Sequence, residues 1–336
     1  MRRLGFLLFG GLLSSLSFFI LLFGGLSCSK VSAEESPKFA WMISSFSTPA
    51  GIAVDSSGNI YVSDYHNNCI QKFTPQGDLM HTWGSFGPGD GQFSSPSGIA
   101  VDNSDNIYVI DSGNYRIQKF TSDGNFIETW GNFGSEDGQF SCPVGIAVDG
   151  SGNVYVTDAD SFVQKFSSGG NFITKWGSRG TGSGQFFTPS GIAVDRSGNV
   201  YVADSGNHRI QKFSQNGDYI TKWGGKGSRI GQFYCPIGIA VDGSGNIYVA
   251  DGFNHRVQEF TPDKSFITKW GSEGSGNGQF SLVDEIAVDN SGNIYVTETD
   301  NHRIQKFIST EINSDGDGGG DGGGCFIAAL AQAFNR

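Results

Sequence analysis

Three histidines stand in register along the chain: His208, His255 and His302, each 47 residues from the next. Imidazole is an ordinary zinc ligand, so the trio invites a metal reading. An acidic pair, Asp284-Glu285, occupies a place where related stretches read Ala50-Gly51, Ser97-Gly98 or Ser190-Gly191. Adjacent carboxylates repel, and a cation or a basic ligand group would relieve them. Such a pair can also hold a metal or act as acid and base. A third set, Asp204, Asn207 and Arg209, recurs as Asp111/Asn114/Arg116, Asp251/Asn254/Arg256 and Glu298/Asn301/Arg303. Catalysis would require carboxylate and base to converge on one point. Recurrence reads instead as hairpin turn chemistry with an ion pair. The five cysteines give no disulfide framework. Cys142 and Cys235 precede proline at equivalent places, and Cys69 replaces the recurring arginine as a small buried hydrophobe. The chain has no Ser-His-Asp constellation, phosphate loop or Cys-x-x-Cys pair.

These residues fall in register because the chain repeats. The segment GIAVD begins at Gly51, Gly98, Gly145, Gly191 and Gly238, and an altered copy, EIAVD, begins at Glu285. A fixed period of this size marks a repeat architecture. Each repeat reads as four short strands rich in β-branched and aromatic residues, bounded by Gly, Asn, Asp and Pro. In the fourth repeat, strand a is the segment from Gly191, strand b runs Asn199-Val200-Tyr201-Val202, strand c Arg209-Ile210-Gln211-Lys212-Phe213, and strand d Tyr219-Ile220-Thr221-Lys222-Trp223. A Gly-Gln-Phe segment, such as Gly231 to Phe233, and a proline precede the next strand a. Four strands per repeat is the size of a propeller blade. Trp83, Trp130, Trp176, Trp223 and Trp270, with the Gly-Gln-Phe phenylalanines, are expected in the core between blades.

The combination PxGIAVD, GNIYVADxxNHRIQKF and WGxxGxxxGQF resembles the NHL repeat, and all six copies between residues 51 and 307 carry it. The resemblance implies an all-β fold, a six-bladed β-propeller of four-stranded antiparallel blades. The Gly-His…Trp-Asp signature of WD40 repeats, similar in period, is absent. The sixth repeat lacks a strand d, whereas Lys38-Phe39-Ala40-Trp41 ahead of the first has the look of one. The N-terminal strand is therefore expected to complete blade six and remove the exposed edges. Strand direction puts the d-to-a loops and b-to-c turns on one face, called top here. That face carries the longer loops and is the better candidate for binding.

Ring geometry bears on the histidines. Equivalent points on neighbouring blades of a sixfold ring lie on the order of 10 Å apart, whereas one zinc needs all nitrogens within ~2 Å. No shared metal is expected, although NHL-like lyases and lactonases hold one in the channel; their ligand pattern is not reproduced here. Departures from the repeat are more informative. Blade one has Tyr65 and His66 in its b-to-c turn, blade two Tyr115, blade five Phe253 and blade six Asp300. Blade three is one residue short there and presents Asp160 and Phe162. With Asp284 and Glu285 at the channel mouth, these form the candidate ligand-binding set. Aromatics with scattered acids suit a protein, peptide or glycan partner.

The ends differ in composition. Arg2-Arg3, the apolar Leu4 to Leu26 and Val31-Ser32-Ala33 make residues 1–33 an expected signal peptide or membrane anchor. Leu26-Ser27-Cys28 resembles the end of a lipobox, which makes Cys28 the lipidation candidate. The propeller is assigned to 34–308, a Gly/Asp-rich flexible linker to 309–324, and to 325–336 a tail that resembles the CFI box of some bacterial surface proteins. The formal net charge is -11, which argues against a nucleic-acid partner. The expected protein is a monomeric, extracytoplasmic binding or scaffold module of the cell envelope, with no cofactor implied. The alternative is a metal-dependent hydrolase or lyase using Asp284 and Glu285.

Overall fold

The structure is a computed structural model, described here for residues 35–309. The expected leader with Cys28, the linker beyond residue 309 and the C-terminal tail lie outside the described residues.

Six four-stranded antiparallel sheets stand around a central axis. In blade four, strand a is Pro189–Val194, b is Val200–Asp204, c is Arg209–Phe213 and d is Tyr219–Gly224, paired in that order. Every residue of strand b is buried in every blade. Both faces of each blade are covered by neighbours, so the inner strands read as unbroken apolar runs rather than alternating ones. One core cluster shows the arrangement: Tyr201 and Ile210 of blade four pack with Ile239, Val249 and Phe260 of blade five, sealed by Phe233 from the loop between them. The five Gly-Gln-Phe phenylalanines are fully buried, as expected.

Strand a begins two residues earlier than GIAVD, at the proline, and carries a bulge. Pro189 faces Asp204 but Ile192 faces Val202, so the register shifts across Ser190-Gly191. This explains the glycine column. A Cβ at Gly51, Gly98, Gly145, Gly191 or Gly238 would lie 2.3–2.7 Å from a carbonyl oxygen on the next blade. The innermost strands thus meet backbone to backbone around the axis, where only glycine fits.

Blade six is completed by Lys38–Ile43, which pairs with strand c, Arg303–Ile308. The strand matches the expectation, with a shift. In blade four Trp223 faces Ile210, but here Ile43 faces Ile304 and Trp41 faces Lys306. Trp41 therefore stands two residues ahead of the repeat tryptophan. It packs on Tyr295 at 6.1 Å and under the Lys306 ammonium at 5.6 Å. Phe46 then fills the place of the Gly-Gln-Phe phenylalanine, 5.6 Å from Phe73, as Phe186 stands 5.5 Å from Phe213.

Candidate functional site

The b-to-c turns and d-to-a loops share the top face and are locked together by the recurring carboxylate. Asp204 is fully buried. It accepts hydrogen bonds from Phe187 N–H at 2.8 Å, Asn207 Nδ2 at 2.9 Å, Arg209 Nε at 2.7 Å and Gln211 Nε2 at 3.0 Å. Arg209 also donates to the carbonyls of Thr181, Gly182 and Gln185 in the d-to-a loop. The ion pair recurs at Asp111–Arg116, Asp251–Arg256 and Glu298–Arg303, 2.6–2.8 Å. A carboxylate this fully engaged shapes the loop and has no lone pair left for chemistry.

The histidines sit at the ends of the b-to-c turns in left-handed conformation, with φ of 56° at His208, 53° at His255 and 52° at His302. Each reaches the loop of the following blade. Cys235 N–H donates to His208 Nδ1 at 3.1 Å, His255 Nδ1 donates to Ser281 O, and His302 Nδ1 donates to Ser47 O, which ties blade six to blade one. In blade one Asn68 does the same work, its Oδ1 accepting from Ser95 N–H at 2.8 Å. Burial, with Lys226 adding to it, lowers the His208 pKa, in keeping with an imidazole that accepts at Nδ1. The histidine column is a set of pegs between blades. Among the described residues no three His, Cys, Asp or Glu side chains gather as a metal site. Cys69, Cys142 and Cys235 are free thiols.

The acidic pair divides. Strand a of blade six is cut to Ile286–Val288, and Val283 is buried where the other blades place proline. Asp284 accepts from Thr299 N–H at 2.7 Å, and burial, then the charges of Asp300 and Glu298, push it up to about 6. Glu285 turns into the channel. It lines the central void with Gly51, Ile52, Gly98, Ile99, Ile146 and Ile192. Its Oε2 lies against Gly238, where a Cβ would be only 3.0 Å away. The void measures about 20 Å³, room for one water. Burial among isoleucines, with Asp284 adding to it, pushes the Glu285 carboxyl up to about 8. At neutral pH it is a neutral acid in the throat of the ring.

The remaining candidates are spread over the top face. Tyr65 is half-buried, edge-on to exposed His66 at 5.2 Å, and His66 Nδ1 is 2.5 Å from Thr48 Oγ1. Tyr115 packs on Phe133 at 4.9 Å. Asp160 and Asp300 are exposed and accept from the hydroxyls of Ser141 and Ser281. Phe253 is 52% exposed and stands 5.3 Å from Tyr234. Phe162 instead lies within the fold, in the arginine column of blade three, with the Lys175 ammonium 3.8 Å over its ring.

Sequence reasoning missed four exposed aromatics. Phe86 and Phe133 are 74% and 67% exposed, and Phe187 and Tyr234 are 40% exposed each. All four lie in d-to-a loops. Arg179 stands over Phe187 at 5.2 Å and Lys226 over Tyr234 at 4.9 Å. The signal was present in two columns: the third position after each tryptophan, which reads Phe86, Phe133, Arg179, Lys226 and Glu273 around the ring, and the residue after Gly-Gln-Phe, which gives Phe187 and Tyr234.

The NHL repeat family model matches six segments of the chain: 46–73, 93–120, 140–162, 188–213, 233–260 and 285–307. None of the curated proteins matches. Solved propellers match in fold. A gluconolactonase from Xanthomonas campestris is 14% identical, with a TM-score of 0.59 over 82% of this chain and 95% of that one. Virginiamycin B lyase from Staphylococcus aureus is 14% identical, with a TM-score of 0.55 over 80% and 98%. A chain of the nidogen/laminin complex is 21% identical, with a TM-score of 0.54 over 71% and 84%. At these identities the likeness concerns the fold alone.

Proposed function

From the premise that the chain belongs to the NHL repeat family and closes six repeats into one propeller, we propose that it is a binding module whose top face takes a protein partner. The observation that carries this reading is the placement of Phe86, Phe133, Phe187, Tyr234 and Phe253, five large aromatic side chains at least 40% exposed on one end of the ring. Exposed aromatics gathered on loops of a rigid scaffold are the usual makings of an interface. The flanking Arg179 and Lys226, in a chain of net charge -11, add a local preference for acidic groups on the partner. The Arg2-Arg3 and Leu4 to Leu26 segment, read as a leader, supports work outside the cytoplasm, at the cell envelope, as part of this proposal. The test is capture from envelope extract by the propeller. Phe86→Ala with Phe133→Ala and Phe253→Ala should abolish capture of the partner while the fold persists. Capture at the parental level by the triple variant would sink the reading.

A second reading rests on Glu285. A neutral carboxylic acid in a channel is the kind of group that serves as a general acid, as a hydrolase or lyase would require. The void before it, about 20 Å³, has room for one water and is too small for a substrate, so the binding reading is preferred.

A further inference from the structure

One seam of the ring differs from its neighbours at the outer rim. At three seams the c-to-d hairpin of one blade seats a glycine on the tryptophan of the blade before. A Cβ at Gly124 would lie 2.8 Å from the Trp83 ring, at Gly170 2.6 Å from Trp130, and at Gly217 2.7 Å from Trp176. Blade five places Lys264 there, at φ 75°. Its Cβ cannot enter that space, so the hairpin stands off Trp223. The rings record the displacement. Trp223 and Phe260 are 6.5 Å apart, whereas the matching pairs at four other seams are 5.9–6.2 Å apart.

The strand c lysine records it too. Lys72, Lys119, Lys165 and Lys306 each donate to a carbonyl in the next blade's c-to-d turn, at 2.9 Å to Ser122 and Ser168, 3.1 Å to Gln215 and 3.2 Å to Pro75. Lys212 makes no such bond to Pro262. It lies 3.8 Å from Asp195 Oδ2 and 4.7 Å over the Tyr201 ring. In the space so opened, on the bottom face between blades four and five, is a polar cleft of about 350 Å³. Arg196, Ser197, Lys212, Ser244 and Pro262 are among its walls. The other blades carry Ser56, Asn103, Gly150, Gly243 and Asn290 where blade four has Arg196. The guanidinium lies over Gly243, whose missing Cβ would be 2.6 Å from it.

Two aspartates also line the cleft, but their oxygens are consumed. Asp195 Oδ1 accepts from Ser197 and Asn199 N–H, and Oδ2 from Asn199 Nδ2 and Tyr201 OH. Asp242 accepts the matching four bonds. What the cleft has to offer a ligand is therefore donors: the Arg196 guanidinium fork and serine hydroxyls, with the Lys212 ammonium beside them already facing Asp195. We propose that this cleft binds a small hydroxylated carboxylate. The fork suits a carboxylate, the hydroxyls suit its alcohol groups, and the volume stands at the small end of ligand pockets.

The probe is D-glucuronate, titrated calorimetrically against the propeller, with neutral D-glucose as the control. Saturable one-to-one binding with a Kd of about 1 mM or tighter is expected for glucuronate alone. Arg196→Ser, which restores the residue of blade one, should weaken it ~10-fold or more. Lys264→Gly should remove the wedge, close the cleft and abolish binding, while raising the melting temperature because glycine is favoured at positive φ. Absence of saturable binding up to about 50 mM glucuronate, or parental affinity in Arg196→Ser, would overturn the assignment. Parental affinity in Lys264→Gly would overturn the wedge as its cause. Native circular dichroism of both variants separates these outcomes from misfolding.

Discussion

The neutral Glu285 makes the whole ring sensitive to pH, in a direction opposite to most carboxylates. In the unfolded chain the group titrates near 4.5, and in the folded channel it is pushed up to about 8. Between those values the folded state holds a proton that the unfolded state has released, so stability falls as pH rises. The penalty is absent below about pH 4.5 and complete above about pH 8. At about 1.4 kcal/mol per pH unit, roughly 3.5 units give about 5 kcal/mol at the plateau and about 3 kcal/mol at pH 7. Glu285→Gln keeps the shape of the neutral acid and cannot ionise. Its stability relative to the parent, from urea midpoints, should be near zero at pH 4.5, grow through pH 6 and 7, and level off beyond pH 8. The difference between the two curves isolates this residue from Asp284, whose own raised value acts on both proteins alike. Parallel curves across pH 5–9 would show that the Glu285 carboxyl is hydrated and ionised, and the reasoning from a closed throat would fail.

Asp204→Ala removes the centre of a buried network and leaves Arg209 facing the gap. A loss of about 3 kcal/mol is expected, read as a lowered urea midpoint, and a change under 1 kcal/mol would contradict the role given to the column. Deleting residues 34–46 removes strand d of blade six together with Phe46, so it uncovers an edge and the core face beneath Phe73. The melting temperature should fall sharply or the product should aggregate. An unchanged transition would refute the non-covalent closure.

The blades were legible because their cause is periodic. Proline, glycine and a β-branched pair at fixed offsets announce strand a in five of the six repeats, the β-branched pair alone remains in the sixth, and the closing strand was legible from what blade six lacked. The detail of that closure was not. Trp41 shares its residue type with the repeat tryptophan, yet Ile43 holds the position, because a rim strand packed on one face tolerates a shift of two that keeps the same side inward. Phe46 was hidden since no Gly-Gln precedes it. The destination of Glu285 was out of reach for a different reason. Its column lies in a bulge, where inward and outward positions cannot be counted by alternation, so a residue read at the mouth stands in the throat.

Lys264 shows the limit most clearly. As a sequence feature it is one glycine exchanged for lysine in a surface hairpin, which looks like ordinary variation. Its consequence depends on Trp223, 41 residues away and on another blade, because the glycine it replaces is a seat for that ring. In a ring of near-identical blades the repeat supplies the fit. A single added Cβ at one seat frees Lys212 from its usual carbonyl and leaves Arg196 facing open space. Individual sites in such a fold therefore arise where the repeat is broken against its neighbour, and a departure has to be read together with the contact partner that the unbroken blades assign to it.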